Sequence, residues 1–276
     1  MPKYSGFDPI QSHNVVTTSS STSGIDHTKT DARTVFHAPF NVASGESDVS
    51  TYGHLIQRNG NATMSSTQSK FGTYAAYFDG AGDFIDIYSD KSALNLGNST
   101  FTFEAWVWFQ DLSGYQTIFM TKDGSQNEGH YYLRTNGTKL QLQLGSISNA
   151  TLLQFDSTSD LTAQTWHHVA ATRFGSILKL YIDGTEAGSR EDSQGARSLV
   201  CGNFKIGNGQ HGSPMEGYIN DLRITKALVY GNSRGNFTPS STPLTVGEQD
   251  AGPVSIYLPF DSDTNDNSSY GHTVAE

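Results

Sequence analysis

A chain of 276 residues with 27 acidic against 17 basic side chains, a formal net charge of −10, has room for one full β-sandwich with extensions and is too acidic to suit nucleic acid or an anionic membrane. One cysteine, Cys201, excludes an intrachain disulfide, and no apolar run approaches the roughly 18 residues of a bilayer-spanning helix. Met1 to Thr34 carries no apolar h-region, so no secretory signal is expected, and folding in a reducing cytoplasm is the simpler reading.

Residues 1–33 are polar and aperiodic around the run Thr17 to Gly24, and they are expected to form a flexible arm that orders only against a partner. From residue 34 the pattern is all-β. Val35 to Ala38 opens it and leads into Pro39-Phe40-Asn41 and, across an acidic Ser-rich loop, Tyr52-Gly53-His54. Phe84 to Tyr88 alternates. In Phe101 to Phe109, Phe101, Phe103, Ala105, Val107 and Phe109 fall on one face and Thr102, Glu104, Trp106 and Trp108 on the other, a period-2 strand pattern. Tyr131 to Thr135 and Thr138 to Leu144 flank Asn136-Gly137, a favoured hairpin dipeptide, with Leu140, Leu142 and Leu144 forming a dry face opposite Gln141 and Gln143. His167 to Arg173 and Leu178 to Ile182 make a second hairpin about Phe174-Gly175-Ser176, and Asp183-Gly184 turns the chain again. Leu199 to Gly207 and Gly217 to Thr225 are the last strands, followed by a short helical turn at Lys226 to Tyr230.

Residues 247–253 read as a linker. After it, Ser255 to Leu258 leads into Pro259-Phe260-Asp261 and Tyr270-Gly271-His272, the opening phrase repeated 220 positions after Phe40. The expected organisation is an arm (1–33), a sandwich (34–246), a linker, and the first strand and loop of a second, truncated domain (254–276). Either the natural chain continues into a second sandwich, or this last strand is borrowed by an edge elsewhere.

Five phrases in order carry a resemblance: Tyr77 to Ile85, Phe101 to Val107, Trp166 to Ala170, Leu180 to Gly184 and Gly217 to Ile224. Together they resemble the laminin G-like branch of the concanavalin A-like jelly rolls. Asp221 to Tyr230, followed by Gly235 to Pro239, is similar to the version found in bacteriophage virion proteins. The resemblance implies an all-β, two-sheet antiparallel jelly roll in a non-enzymatic virion protein, a tail fibre, appendage or capsid decoration. It implies a place on the virion surface, contact with other virion proteins through the N-terminal arm, homo-oligomer formation and attachment to host-surface polysaccharide. The alternatives are a carbohydrate-active enzyme, its accessory glycan-binding module, or a ligand-free cement protein.

Candidate chemistry is sparse. Hydrolytic jelly rolls place E-x-D-x-x-E on one strand so that two carboxyl groups flank the glycosidic bond. Glu46-Ser47-Asp48 begins that motif, but Thr51 stands where its last Glu belongs, and Glu104 reads as a hydrogen-bonded structural carboxylate. No G-x-S-x-G is present, and His167 and His168 alternate across a strand and cannot share a metal. Related jelly rolls hold Ca²⁺ where the first loop meets the last strand. The matching positions here are Asn41, Asp48 and Asp221, whose oxygens suit a hard cation. A sugar site needs aromatic faces with amides and carboxylates around them. Tyr115, Tyr131 and Trp108, with Tyr132 and the Gln126-Asn127-Glu128 loop, and His211 with Asn208, are the candidates.

Overall fold

The computed structural model describes residues 33–44, 47–121, 129–145, 153–193, 195, 197–209, 213–230 and 235–244. The expected arm (but for Arg33), the linker and the repeated phrase at 254–276 lie outside the described residues.

Two antiparallel sheets make up the fold. The larger has eight strands. Seven run in the order β13 (Thr185–Glu191), β12 (Ile177–Ile182), β11 (His167–Phe174), β6 (Phe101–Phe109), β15 (Glu216–Thr225), β4 (Ala75–Asp79) and β3 (Thr63–Ser65). The eighth, β1 (Thr34–Ala38), pairs with the second half of β15, end to end with β4 along the same edge. The smaller sheet runs β10 (Leu153–Asp160), β9 (Lys139–Leu144), β8 (Tyr131–Asn136), β7 (Thr117–Met120), β14 (Lys205–Ile206), β5 (Phe84–Ile87) and β2 (Ile56–Asn59). One short 3₁₀ turn, Ser92–Leu94, is the single helical element among the described residues. The expected jelly-roll sandwich is present.

Alternation builds the core. Phe101, Phe103, Ala105, Val107 and Phe109 face inward from β6 and meet Tyr131, Leu133, Leu140, Leu142 and Leu144 of the smaller sheet. Phe103 packs edge-on against Phe119 with ring centroids 5.2 Å apart. Four local expectations need correction. Leu199 to Gly207 is a strand only at Lys205–Ile206, where it pairs with β5 and β7. The β8–β9 loop is Gly137-Thr138, one residue later than expected, because Asn136 still pairs with Lys139 and Gly137 alone takes a positive φ of 58°. The β11–β12 loop is likewise reduced to Gly175-Ser176, since Phe174 pairs with Ile177. Lys226 to Tyr230 is not helical. It leaves β15 as an irregular segment that returns across the larger sheet.

That return explains why the far face of β6 is buried as well. Tyr230 and Phe237 stack at 3.6 Å, and Phe237 stands edge-on to His168 and Tyr181. Beneath them sits a buried ionic cluster. Arg223 reaches Glu104 through Nε (2.8 Å) and Nη2 (2.7 Å), while His168 Nε2 (3.3 Å) and the Tyr230 hydroxyl donate to its other oxygen. Burial alone would raise the Glu104 pKa. The Arg223 charge and the hydrogen bonds from His168 and Tyr230 outweigh it and hold the carboxyl at about 2.

The first loop is locked by Asp48. Its Oδ1 accepts the His37 and Ser50 N–H groups, both at 2.9 Å, and its Oδ2 accepts the Ser50 hydroxyl (2.8 Å) and the His54 N–H (2.9 Å). Tyr52 stacks on His54, with Gly53 at φ 53° between them. The conspicuous Tyr-Gly-His phrase is thus the end of a carboxylate-centred turn.

Candidate functional site

The site begins with strand register. Asp79 of β4 pairs with Glu216 of β15, Tyr77 with Tyr218, and Tyr218 in turn with Trp108 of β6. Because side chains alternate, all five lie on the outer face of the larger sheet, opposite the core row of Phe78, Ile219 and Val107. Gly217 sits between the first two β15 members because a side chain there would meet the Trp108 carbonyl at 2.1 Å.

The loop after β6 then folds over the start of β15. Asp111 Oδ1 accepts the Ser113 N–H (3.0 Å) and hydroxyl (2.9 Å) and the Gln116 amide (3.2 Å). Gln116 Oε1 accepts the Glu216 N–H at 2.9 Å, which ties the loop to the strand. The result is a cleft of about 290 Å³ lined by Gly80, Asp111, Ser113, Gly114, Tyr115, Gln116, Pro214 and Glu216. Gly80, at φ 79°, leaves the room that Glu216 occupies, since a Cβ there would lie 3.1 Å from that of Glu216.

Tyr115 is the cleft's exposed ring, 45% open to solvent. Its far side is held by Arg134, whose guanidinium lies 4.1 Å from the ring centroid. Arg134 is positioned in turn by Gln141 (2.7 Å) and Gln143 (3.1 Å), and it covers these two glutamines, so the expected wet face of the β8–β9 hairpin is largely buried. Among the described residues, charge in the cleft lining is acidic only, from Asp111 and Glu216. Partial burial, the neighbouring Tyr218 and the carboxylates of Asp79, Glu216 and Asp83 raise the Tyr77 pKa, so its hydroxyl stays a neutral donor.

The residues nominated from sequence do not converge. Tyr115 lines the cleft, and Trp108 lies some way along the outer sheet face, almost covered by its neighbours. Tyr131 is corrected: it is fully buried, stacks on Phe103 and donates its hydroxyl to the Leu94 carbonyl at 2.8 Å, so it offers no platform. Tyr132 is nearly buried beside His130, and Asn208 bonds the Gly82 carbonyl. Asn127 and His211 lie outside the described residues. Asp111, Gln116, Arg134 and Glu216 were missed. An Asp-x-Ser turn directly after the longest aromatic strand was a usable signal for the first. The others become site residues only through pairing.

The calcium positions are also corrected. Asp48 accepts four N–H and O–H donors, as above. Asp221 accepts His37 Nε2 at 2.8 Å and the Leu244 N–H at 2.5 Å. Donors occupy the oxygens that Asp48 and Asp221 would offer a cation, and the Asn41 backbone carbonyl accepts the Thr73 N–H. Among the described residues no group of three or more His, Cys, Asp or Glu is placed to hold a metal.

A family model described as the Concanavalin A-like lectin/glucanases superfamily matches residues 79–229, more than half of the 276. The chain belongs to this superfamily. None of the curated proteins matches the sequence. Among solved structures, the binding domain of Paraclostridial Mosquitocidal Protein 1 is similar at a TM-score of 0.58 and 12% identity, covering 72% of this chain and 50% of that one. The botulinum neurotoxin serotype D binding domain is similar at 0.54 and 18%, covering 72% and 49%. Domain 4 of AbnA, a GH43 extracellular arabinanase from Geobacillus stearothermophilus solved with arabinotriose, is similar at 0.55 and 20%, covering 76% and 96%. The chain therefore spans about half the length of the toxin binding domains, and nearly all of the arabinanase domain. At these identities the likeness is one of fold, and it gives the superfamily member two-sheet neighbours that are themselves described as binding domains or as a domain of a larger enzyme.

Proposed function

We propose that the protein is a non-catalytic carbohydrate-binding module whose sugar seat is the Tyr115 cleft. The observation that carries this is an exposed aromatic ring, braced from behind by Arg134, beside two carboxylates in a cleft whose lining includes no cation among the described residues. A sugar presents C–H faces to such a ring and hydroxyl donors to such acceptors. The toxin binding domains and the arabinanase domain, which share the fold, support a binding role over a catalytic one. So does Glu104, buried in an ion cluster and out of reach of any substrate.

A panel of neutral oligosaccharides and host-surface polysaccharides, arabinotriose included, tests the reading by calorimetry or glycan array. A member of the panel is expected to bind, and Tyr115→Ala is expected to weaken it about tenfold, the size of one lost aromatic contact. Absence of binding across the panel overturns the proposal. Steady release of reducing sugar that Glu216→Gln abolishes would overturn the non-catalytic part alone.

The phrases at 221–230 and 235–239, which resemble phage virion proteins, support display on a virion surface, with residues 1–33 docking to other virion proteins. Immunogold labelling of intact particles tests that placement, and a protein found only free in the lysate would refute it.

A further inference from the structure

We infer that the cleft is one end of a longer track, and that its ligand is a linear neutral oligosaccharide whose further residues lie against Tyr77 and Trp166, the partly buried members of the aromatic cluster that Tyr218 and Trp108 complete on the outer face of the larger sheet. This rests on the sugar-binding reading of the cleft and extends it to a second subsite.

Continuity comes from Glu216. Its carboxylate lines the cleft, and its strand position places it two residues before Tyr218 on the same sheet face. From there the aromatic side chains cross three adjacent strands in register. Tyr77 and Tyr218 lie 4.9 Å apart at 40°, and Tyr218 and Trp108 lie 5.3 Å apart at 78°. Strand spacing makes this row about 10 Å long, room for about two sugar rings. Trp108 and Tyr218, nearly buried, support the row from beneath, while Tyr77 and Trp166, which pack against them, are only partly buried.

Charge selects the ligand class. Asp79 and Glu216 are direct cross-strand partners of β4 and β15, so two carboxylates stand on this stretch of the outer face. The Asp79 oxygens accept the Asn61 amide and the Ala81 N–H. The Glu216 carboxylate accepts no hydrogen bond among the described residues, and Asp111 lines the same cleft. Hydroxyl donors of a neutral sugar chain would find a ready acceptor in the Glu216 carboxylate. A uronate, sialate or sulfate adds a further negative charge beside it.

The test uses the full chain and two neutral series, arabinose to arabinohexaose and glucose to cellohexaose, with calorimetry and intrinsic fluorescence read together. All three tryptophans, Trp106, Trp108 and Trp166, lie in the larger sheet or at its rim, and none lines the cleft. Affinity is expected to rise at least tenfold from one sugar residue to three or four, and tryptophan emission to change with the longer members but not with the monosaccharide. Tyr77→Ala is expected to remove about three- to tenfold of the affinity for the longer members and none for the monosaccharide. An oligosaccharide bearing uronate is expected to bind at least tenfold more weakly than its neutral counterpart at low salt, with the gap closing as salt is added. Binding that is independent of length, without a tryptophan response, overturns the track and leaves the cleft reading intact. Equal or tighter binding of the uronate chain overturns the neutral assignment. No binding by any member, where another sugar of the wider panel binds, overturns the track alone; no binding in either set overturns the cleft reading with it.

Discussion

Replacing Glu104 by alanine is expected to lower the unfolding free energy by about 3–5 kcal/mol, because it leaves the Arg223 guanidinium buried without its counter-charge. For a domain of this size that is a fall in Tm on the order of 10 °C. Arg223→Met should cost a similar amount for the mirror-image reason. The double variant Glu104→Leu with Arg223→Met is expected to recover much of the loss, since a matched apolar pair carries no desolvated charge. Urea unfolding of the three variants is the measurement, and a Glu104→Ala variant within 1 kcal/mol of the parent would refute the account.

The same cluster sets an acid limit. The Glu104 carboxyl titrates at about 2 in the folded chain against an ordinary value of 4.5. A depressed folded pKa contributes stability above the unfolded value, and that contribution is lost as pH falls from about 4.5 toward 2. The span corresponds to about 3 kcal/mol. Urea titrations across this range should therefore show a loss in the parent chain that the double variant, lacking the carboxyl, does not share.

The second large effect is expected at Asn220. Its amide nitrogen donates to the carbonyls of Pro39 (3.2 Å), Phe40 (2.9 Å) and Tyr74 (3.0 Å). Its Oδ1 accepts the Lys70 N–H at 2.8 Å and the Phe71 N–H at 3.5 Å. One fully buried side chain thus joins the first loop, the segment before β4 and the bulge of β15, where the pairing with β6 shifts and Asp221 takes a positive φ of 59°. Asn220→Ala orphans several buried backbone groups and is expected to cost about 3 kcal/mol or more, each such group being worth about 1–3 kcal/mol. Asn220→Asp should be no better despite its shape, because an oxygen would face three carbonyl oxygens. Hydrogen exchange adds a local readout: the Lys70 and Phe71 amides should lose protection in Asn220→Ala more than the β11 amides do. Equal protection at all these positions would contradict the stitching role.

Legibility differed from residue to residue. Phe101 to Phe109 was readable as a strand because alternation over nine residues is a local property of the backbone. The hairpins were readable from Gly137, Gly175 and Asp183-Gly184, although the pairing partners moved the first two loops by a residue. Tyr131 and Tyr132 were not separable by type. Pairing of Tyr131 with Leu144 sends one ring inward to Phe103 and the other outward. The doubled phrase was legible as a repeat, but its meaning was not. The first copy shows that Asp48 and Ser50 belong to it, and the sequence repeats these residues with Tyr-Gly-His as Asp266, Ser268 and Tyr270-Gly271-His272.

By itself, then, the sequence determined the all-β class, strands such as Phe101 to Phe109, and the superfamily, since each is written in neighbouring residues or in their order. Only the tertiary structure decided which carboxylates are available. Glu104 is engaged by Arg223 across 119 positions, and Asp221 by His37 across 184. Glu216, similar in chemistry, is left open at the mouth of a cleft. A carboxylate's availability depends on whether a distant segment brings donors to it, and no local pattern encodes that.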